Sequence, residues 1–166
     1  MKQISLAVLI TLALATGLVA EEPKELTTAK KEFAQNAHPD EAARVRYVLS
    51  LAELREKLAR SNGDWKAVDA ELRRHPAPKD ADSAVLTKLR VGGWSSPRHD
   101  YLYRKDGTWT MTPVEDDATH GTWKIAGNQY TSGVAISNNY TIILLTAKDF
   151  IFTDGEVVFF EKKKGR

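Results

Sequence analysis

Cysteine is absent from the 166 residues. That excludes Cys-ligated zinc, thiol redox chemistry and a Cys nucleophile, and it leaves core packing alone to hold the fold of a chain without disulfides. A bacterial lipoprotein needs a Cys at its cleavage site, so the mature protein is expected not to be a lipoprotein. Excess charge of one sign is also missing. Residues 21–80 carry twelve acids and twelve bases, and residues 81–166 carry ten acids and eleven bases. Neither half has the basic face that nucleic acid requires, so no nucleic-acid partner is expected. The cluster Lys162, Lys163, Lys164 and Arg166 reads as a solvated basic tail. There is no P-loop, dinucleotide fingerprint, Gly-x-Ser-x-Gly elbow or aromatic-flanked carboxylate pair.

Long apolar runs are missing except at the start. Residues 1–20, MKQISLAVLITLALATGLVA, place Lys2 before an apolar run that ends in small residues. Glu21, Glu22 and Glu25 follow, where a retained anchor would carry basic residues. The pattern predicts a signal peptide cut after Ala20, with Gly17 as the competing site and an uncleaved anchor as the alternative. The expected location is periplasmic or extracellular, with no membrane span after cleavage.

What remains divides at a change of period. Residues 21–80 read as a helical segment. Asp40 and Glu41 suit a helix start, and Val45, Val48, Leu51, Leu54 and Leu58 recur every three or four residues. Arg44, Arg55, Glu56 and Arg60 fall largely on the opposite face. Ser61-Asn62-Gly63 stops this helix, and Asp64 starts a second whose Trp65, Val68 and Leu72 share a face. A helical hairpin over about 40–75 is expected, with a weaker helix over Thr27 to Ala37 before it. Pro76 to Asp82 reads as a linker.

Residues 81–166 change to short runs rich in Tyr, Trp, Phe, Ile, Val and Thr: 91–94, 99–104, 108–112, 121–126, 129–132, 140–146, 150–153 and 157–161. Lys105-Asp106-Gly107, Gly127-Asn128, Ser137-Asn138-Asn139 and Asp154-Gly155 read as turns between them. The fold class is α+β: an N-terminal helical hairpin, then an antiparallel up-and-down β-barrel or strongly curled meander of about eight strands. An open meander leaves exposed edges, which favours closure.

The run Leu89-x-x-Gly92-x-Trp94, then Tyr101-x-Tyr103 before Asp106-Gly107-Thr108-Trp109, then Gly121-Thr122-Trp123-x-Ile125 before Gly127-Asn128, resembles the small lipocalin-like domains of the calycin type found in exported bacterial proteins. The resemblance covers about residues 85–162 and implies an up-and-down barrel with its first Trp plugging one end. Residues 85–162 are too few for the deep ligand cup of a classical lipocalin. The helical half matches no recognised family.

The histidines His38, His75, His99 and His120 show no metal spacing, and no metal, cofactor or catalytic residue is expected. His38 and His75 precede prolines at helix boundaries and read as capping or surface residues. Ser95 and Ser96 lie near His99, yet neighbours on one extended strand do not form a triad. His99, Tyr101 and Tyr103 share one strand face by alternation, and His120 opens a later strand after Asp116 and Asp117. His99, Tyr101, Tyr103 and His120 are therefore the ligand-binding candidates, with burial in the core as the competing reading for the aromatics. The expected function is a non-enzymatic binding or interaction module whose partner is a small molecule, a peptide or an envelope protein. The alternative is a small envelope hydrolase with its site around His99, Tyr101 and His120. A cavity gathering those three side chains would favour the enzyme or ligand reading, and a filled barrel would favour protein interaction.

Overall fold

The structure is a computed structural model that describes residues 22–35, 40–113 and 119–165. Residues 1–20, expected to be a signal peptide, and His38, Asp116 and Asp117 lie outside the described residues. Among the described residues four helices precede eight strands: α1 Lys24–Ala34, α2 Glu41–Arg60, α3 Lys66–Leu72 and α4 Ser83–Arg90, then β1 Gly92–Ser95, β2 His99–Tyr103, β3 Thr108–Pro113, β4 Thr119–Ala126, β5 Gln129–Gly133, β6 Ser137–Leu145, β7 Asp149–Thr153 and β8 Val158–Lys163. Each strand pairs antiparallel with the next, and β1 pairs with β8, which closes the barrel in simple up-and-down order. Closure removes the sheet edges that an eight-strand meander would expose. Among the described residues, no helix is long and apolar enough to cross a membrane.

The helical hairpin forms for the reasons its sequence suggests. The Asp40 carboxylate accepts from the Ala43 N–H at 2.7 Å, satisfying a free donor at the start of α2. Asn62 takes φ 54°, and the Gly63 N–H donates back to the Leu58 carbonyl at 2.8 Å. The stripe lies flat on the barrel. Leu26, Val48, Leu51, Val68 and Leu72 are fully buried in one cluster with Ile143, Leu144, Ile151 and Val158 from the outer face of β6–β8. Tyr47 belongs to this cluster as well, although the expected stripe omitted it.

Arg44 and Arg55 depart from their expected place on the outer face. Arg44 Nη1 donates to the carbonyls of His75 and Ile143, both at 2.9 Å. Arg55 donates to Asp69 at 2.8 Å, with its guanidinium over Trp65 and Phe160. A long arginine stem covers apolar surface while its head finds acceptors, so a helical wheel misplaces it. His75 is likewise half-buried rather than on the surface: its ring meets Phe33 and Tyr47 edge-on, and Nε2 lies 3.0 Å from Glu71.

Three local readings change. The segment after Pro76 is no free linker, because the Ala77 N–H donates to Ile142 O at 2.9 Å and the Asn128 side chain donates to Ala77 O at 2.8 Å. α4 was not expected; Asp82 caps it by accepting from the N–H groups of Ala84 and Val85. Its eight residues are too few to show a clear period. Finally, Ser137, Asn138 and Asn139 open β6, where they pair with Gly133, Ser132 and Thr131. The turn is displaced to residues 134–136, which leaves Val134 and Ile136 exposed.

Candidate binding site

The two ends of the barrel differ. At one end α4 and residues 76–82 close the opening. Trp94 is fully buried there, and its indole N–H donates to Arg90 O at 2.6 Å. Lys163 Nζ lies 4.6 Å from the Trp94 ring centroid and donates to Leu89 O at 3.0 Å. Gly127 allows the close approach: at φ 57°, a Cβ would sit 2.1 Å from Lys79 O. This is the plugged end that the resemblance implied.

At the other end, beside the β5–β6 connection, lies an open cavity of about 510 Å³. Tyr101, Tyr103, Trp109 and Met111 form one wall, Tyr130, Tyr140 and Phe152 face them, and Val134, Ala135 and Ile136 stand at the rim. The barrel is thus neither filled nor flat at its mouth. Reach explains the gap. On the wall from β3 to β5 the inward side chains include Gly121 and Ser132, too small to cross the lumen. Gly121 is required there, because a Cβ would meet Gly133 O at 2.4 Å and the Trp109 ring at 2.5 Å. Trp109 and Trp123 pack below, each indole donating to a carbonyl of the other's strand, Thr122 and Thr108, at 3.0 Å.

The floor is polar. Arg90, at 0% exposure, enters from the end of α4 and binds Glu161 through two hydrogen bonds, 2.8 and 3.2 Å long. Its guanidinium lies 3.5 Å from the Tyr103 ring centroid and 4.0 Å from that of Phe150. Arg90 Nη2 donates to the Tyr130 hydroxyl at 3.5 Å, and the Tyr130 and Tyr103 hydroxyls are 3.2 Å apart. Glu161 lines the cavity. None of Arg90, Glu161, Tyr130 and Tyr140 was among the sequence candidates. Alternation from Phe159 already puts Glu161 on the inner face of β8, and that was the available signal.

The four candidates separate. Tyr101 and Tyr103 line the cavity. His99 shares their face, its ring edge-on to Tyr101 at 6.2 Å, with Nδ1 buried and without a partner among the described residues. His120 is on the outside: it pairs with Thr110 across the β3–β4 ladder, and its Nδ1 lies 3.3 Å from the Thr110 hydroxyl. In β4, residues 121, 123 and 125 face inward, so His120 must face outward. The Ser96 hydroxyl accepts from the His99 backbone N–H at 3.1 Å and serves the β1–β2 turn.

Burial, with Glu161 nearby, pushes the Tyr101 phenol up to about 12, and burial holds the Tyr103 phenol well above its ordinary value. Both are therefore neutral hydrogen-bonding groups at physiological pH, not phenolates. Among the described residues no group of three His, Asp or Glu side chains gathers as a metal site. Another hollow of about 500 Å³ lies against α4 beside Thr87, Lys88 and Lys105, but no buried polar group lines it. No known protein family, curated protein or solved structure matches this chain.

Proposed function

We propose that this chain is an exported, lipocalin-like, non-enzymatic binding module that holds a small molecule in the mouth of its barrel. The observation that carries the reading is the open aromatic cavity at the end opposite the Trp94 plug. Ligand sites are concave and mostly apolar, with a few convergent polar groups, and this cavity joins tyrosine, tryptophan and phenylalanine walls to a hydrogen-bonded floor. The hydrolase alternative needs His99, Tyr101 and His120 together, and His120 lies on the other face of the sheet. Export rests on the apolar start of the sequence and its acidic flank.

Titration with N-phenyl-1-naphthylamine, a neutral dye that brightens in apolar surroundings, tests the reading. One equivalent should bind saturably to the protein, and Ser132→Trp, which fills the lumen, should abolish binding while the far-ultraviolet dichroism stays unchanged. Binding that survives the filled lumen would place the dye elsewhere and sink the proposal. Native mass spectrometry of the protein from its own envelope fraction would then identify the natural occupant.

A further inference from the structure

The hydrogen-bond arithmetic of the cavity floor narrows the kind of molecule that fits, on the premise that the mouth is a binding cavity. Arginine has donors and no acceptor. Arg90 therefore donates in each of its contacts, to Glu161 and to the Tyr130 hydroxyl. The Tyr130 and Tyr103 hydroxyls share one hydrogen bond, so only one of their two protons is used between them. Whichever way that bond points, the other proton has no acceptor among the described residues. Arg90 Nε–H is also buried without a partner. The floor thus holds donors that meet no acceptor in place, and an unmatched buried donor is costly.

Charge at the floor is already balanced. Glu161 neutralises Arg90 through two hydrogen bonds, and both groups are at most 5% exposed. Glu161 is the member of the pair that faces the cavity, so a ligand carboxylate would meet a like charge. A ligand cation would enter an aromatic enclosure already occupied by the guanidinium over Tyr103 and Phe150. The walls above offer rings and the Met111 thioether.

We infer that the cavity takes a neutral, mainly apolar molecule whose buried end carries a carbonyl acceptor, as in a ketone, ester or amide, received by the Tyr103–Tyr130 hydroxyl pair. The guanidinium behind Tyr130 polarises that pair and makes it a stronger donor.

Calorimetric titration of the whole protein with four naphthalenes that differ only at position 2 tests this. The acetyl compound should bind about tenfold tighter than the ethyl compound, and the carboxylate and the aminomethyl cation should both bind more weakly than the acetyl compound. Tyr103→Phe and Tyr130→Phe should bring the ketone down to the affinity of the hydrocarbon and leave the hydrocarbon unchanged. Equal affinity for acetyl and ethyl would overturn the inference while leaving the cavity reading intact. Preference for the cation or for the carboxylate would overturn it in favour of Glu161 or Arg90 as the recognising group. Failure of all four to bind would remove the cavity reading, and this inference with it. The comparison of ligands is decided on the unaltered protein, so it holds even if a variant fails to fold.

Discussion

The two faces of β6, β7 and β8 are buried against different materials. Outside, Ile143, Leu144, Ile151 and Val158 meet leucines and valines of α1–α3, a close aliphatic contact whose charged groups pair around Asp69 and Glu71. Inside, Ile142, Phe150 and Phe152 meet aromatic rings, an open lumen and a buried ion pair. The switch occurs in β6, where the register shifts between Ile142 and Leu144 so that Ile143 and Leu144 both serve the outer cluster. A β-bulge inserts one residue and re-aims its neighbours, and here it lets one strand serve both layers. Apolar layers packed without a lumen chiefly stabilise. The inner face gives up part of that packing and holds a charge pair and polar groups beside an open cavity.

The largest test of this contrast is on the inner face. Glu161→Gln should cost about 4 kcal/mol by urea unfolding, because it strands a buried guanidinium. The double replacement Arg90→Met with Glu161→Leu should recover most of that loss while weakening ketone selectivity, because the Tyr103–Tyr130 pair loses the guanidinium that polarises it. If the double variant remained as unstable as the single one, the pair would be a packing element and the contrast would break.

On the outer face, Leu51→Ala should cost about 3 kcal/mol, since it empties a fully buried site between helix and sheet. Dye binding in the folded protein should be unchanged. Tryptophan fluorescence and far-ultraviolet dichroism should still report one coincident unfolding transition, because both layers share β6–β8. Two separate transitions would show that the layers fold independently.

The smallest expected effect is a pH slope. An ordinary phenol loses its proton near about pH 10, and Tyr101 in the folded protein holds its proton to about 12. Between those values the folded state binds more protons than the unfolded one, so the stability from this group is complete below the unfolded value and lost as pH rises toward the folded one. Tyr101→Phe should flatten the decline of the urea midpoint over that window. An unchanged slope would mean that the cup does not exclude water from this phenol.

Much of this was legible in advance, and the physical reasons are specific. Strand alternation placed Tyr101, Tyr103, Trp109 and Trp123 on one side because a pleat has period two. The eight strand runs were legible for the same reason, together with their turn residues. The β5–β6 turn was misread because Asn138 and Asn139 are turn formers in isolation, while the antiparallel ladder accepts both, Asn139 on its polar outer face and Asn138 at the rim of the cavity. Arg90 and Glu161 escaped notice because charged residues at element ends are ordinarily solvated, and they lie 71 residues apart.

What the sequence determined alone was local: periodicity, caps, glycine positions and the absence of cysteine chemistry. Only the tertiary structure decided that β1 meets β8 and that a guanidinium, a carboxylate and two phenols share one floor. Those facts depend on closure and stagger, which bring distant residues together by summing small angles over eight strands, and no short window of sequence contains that sum.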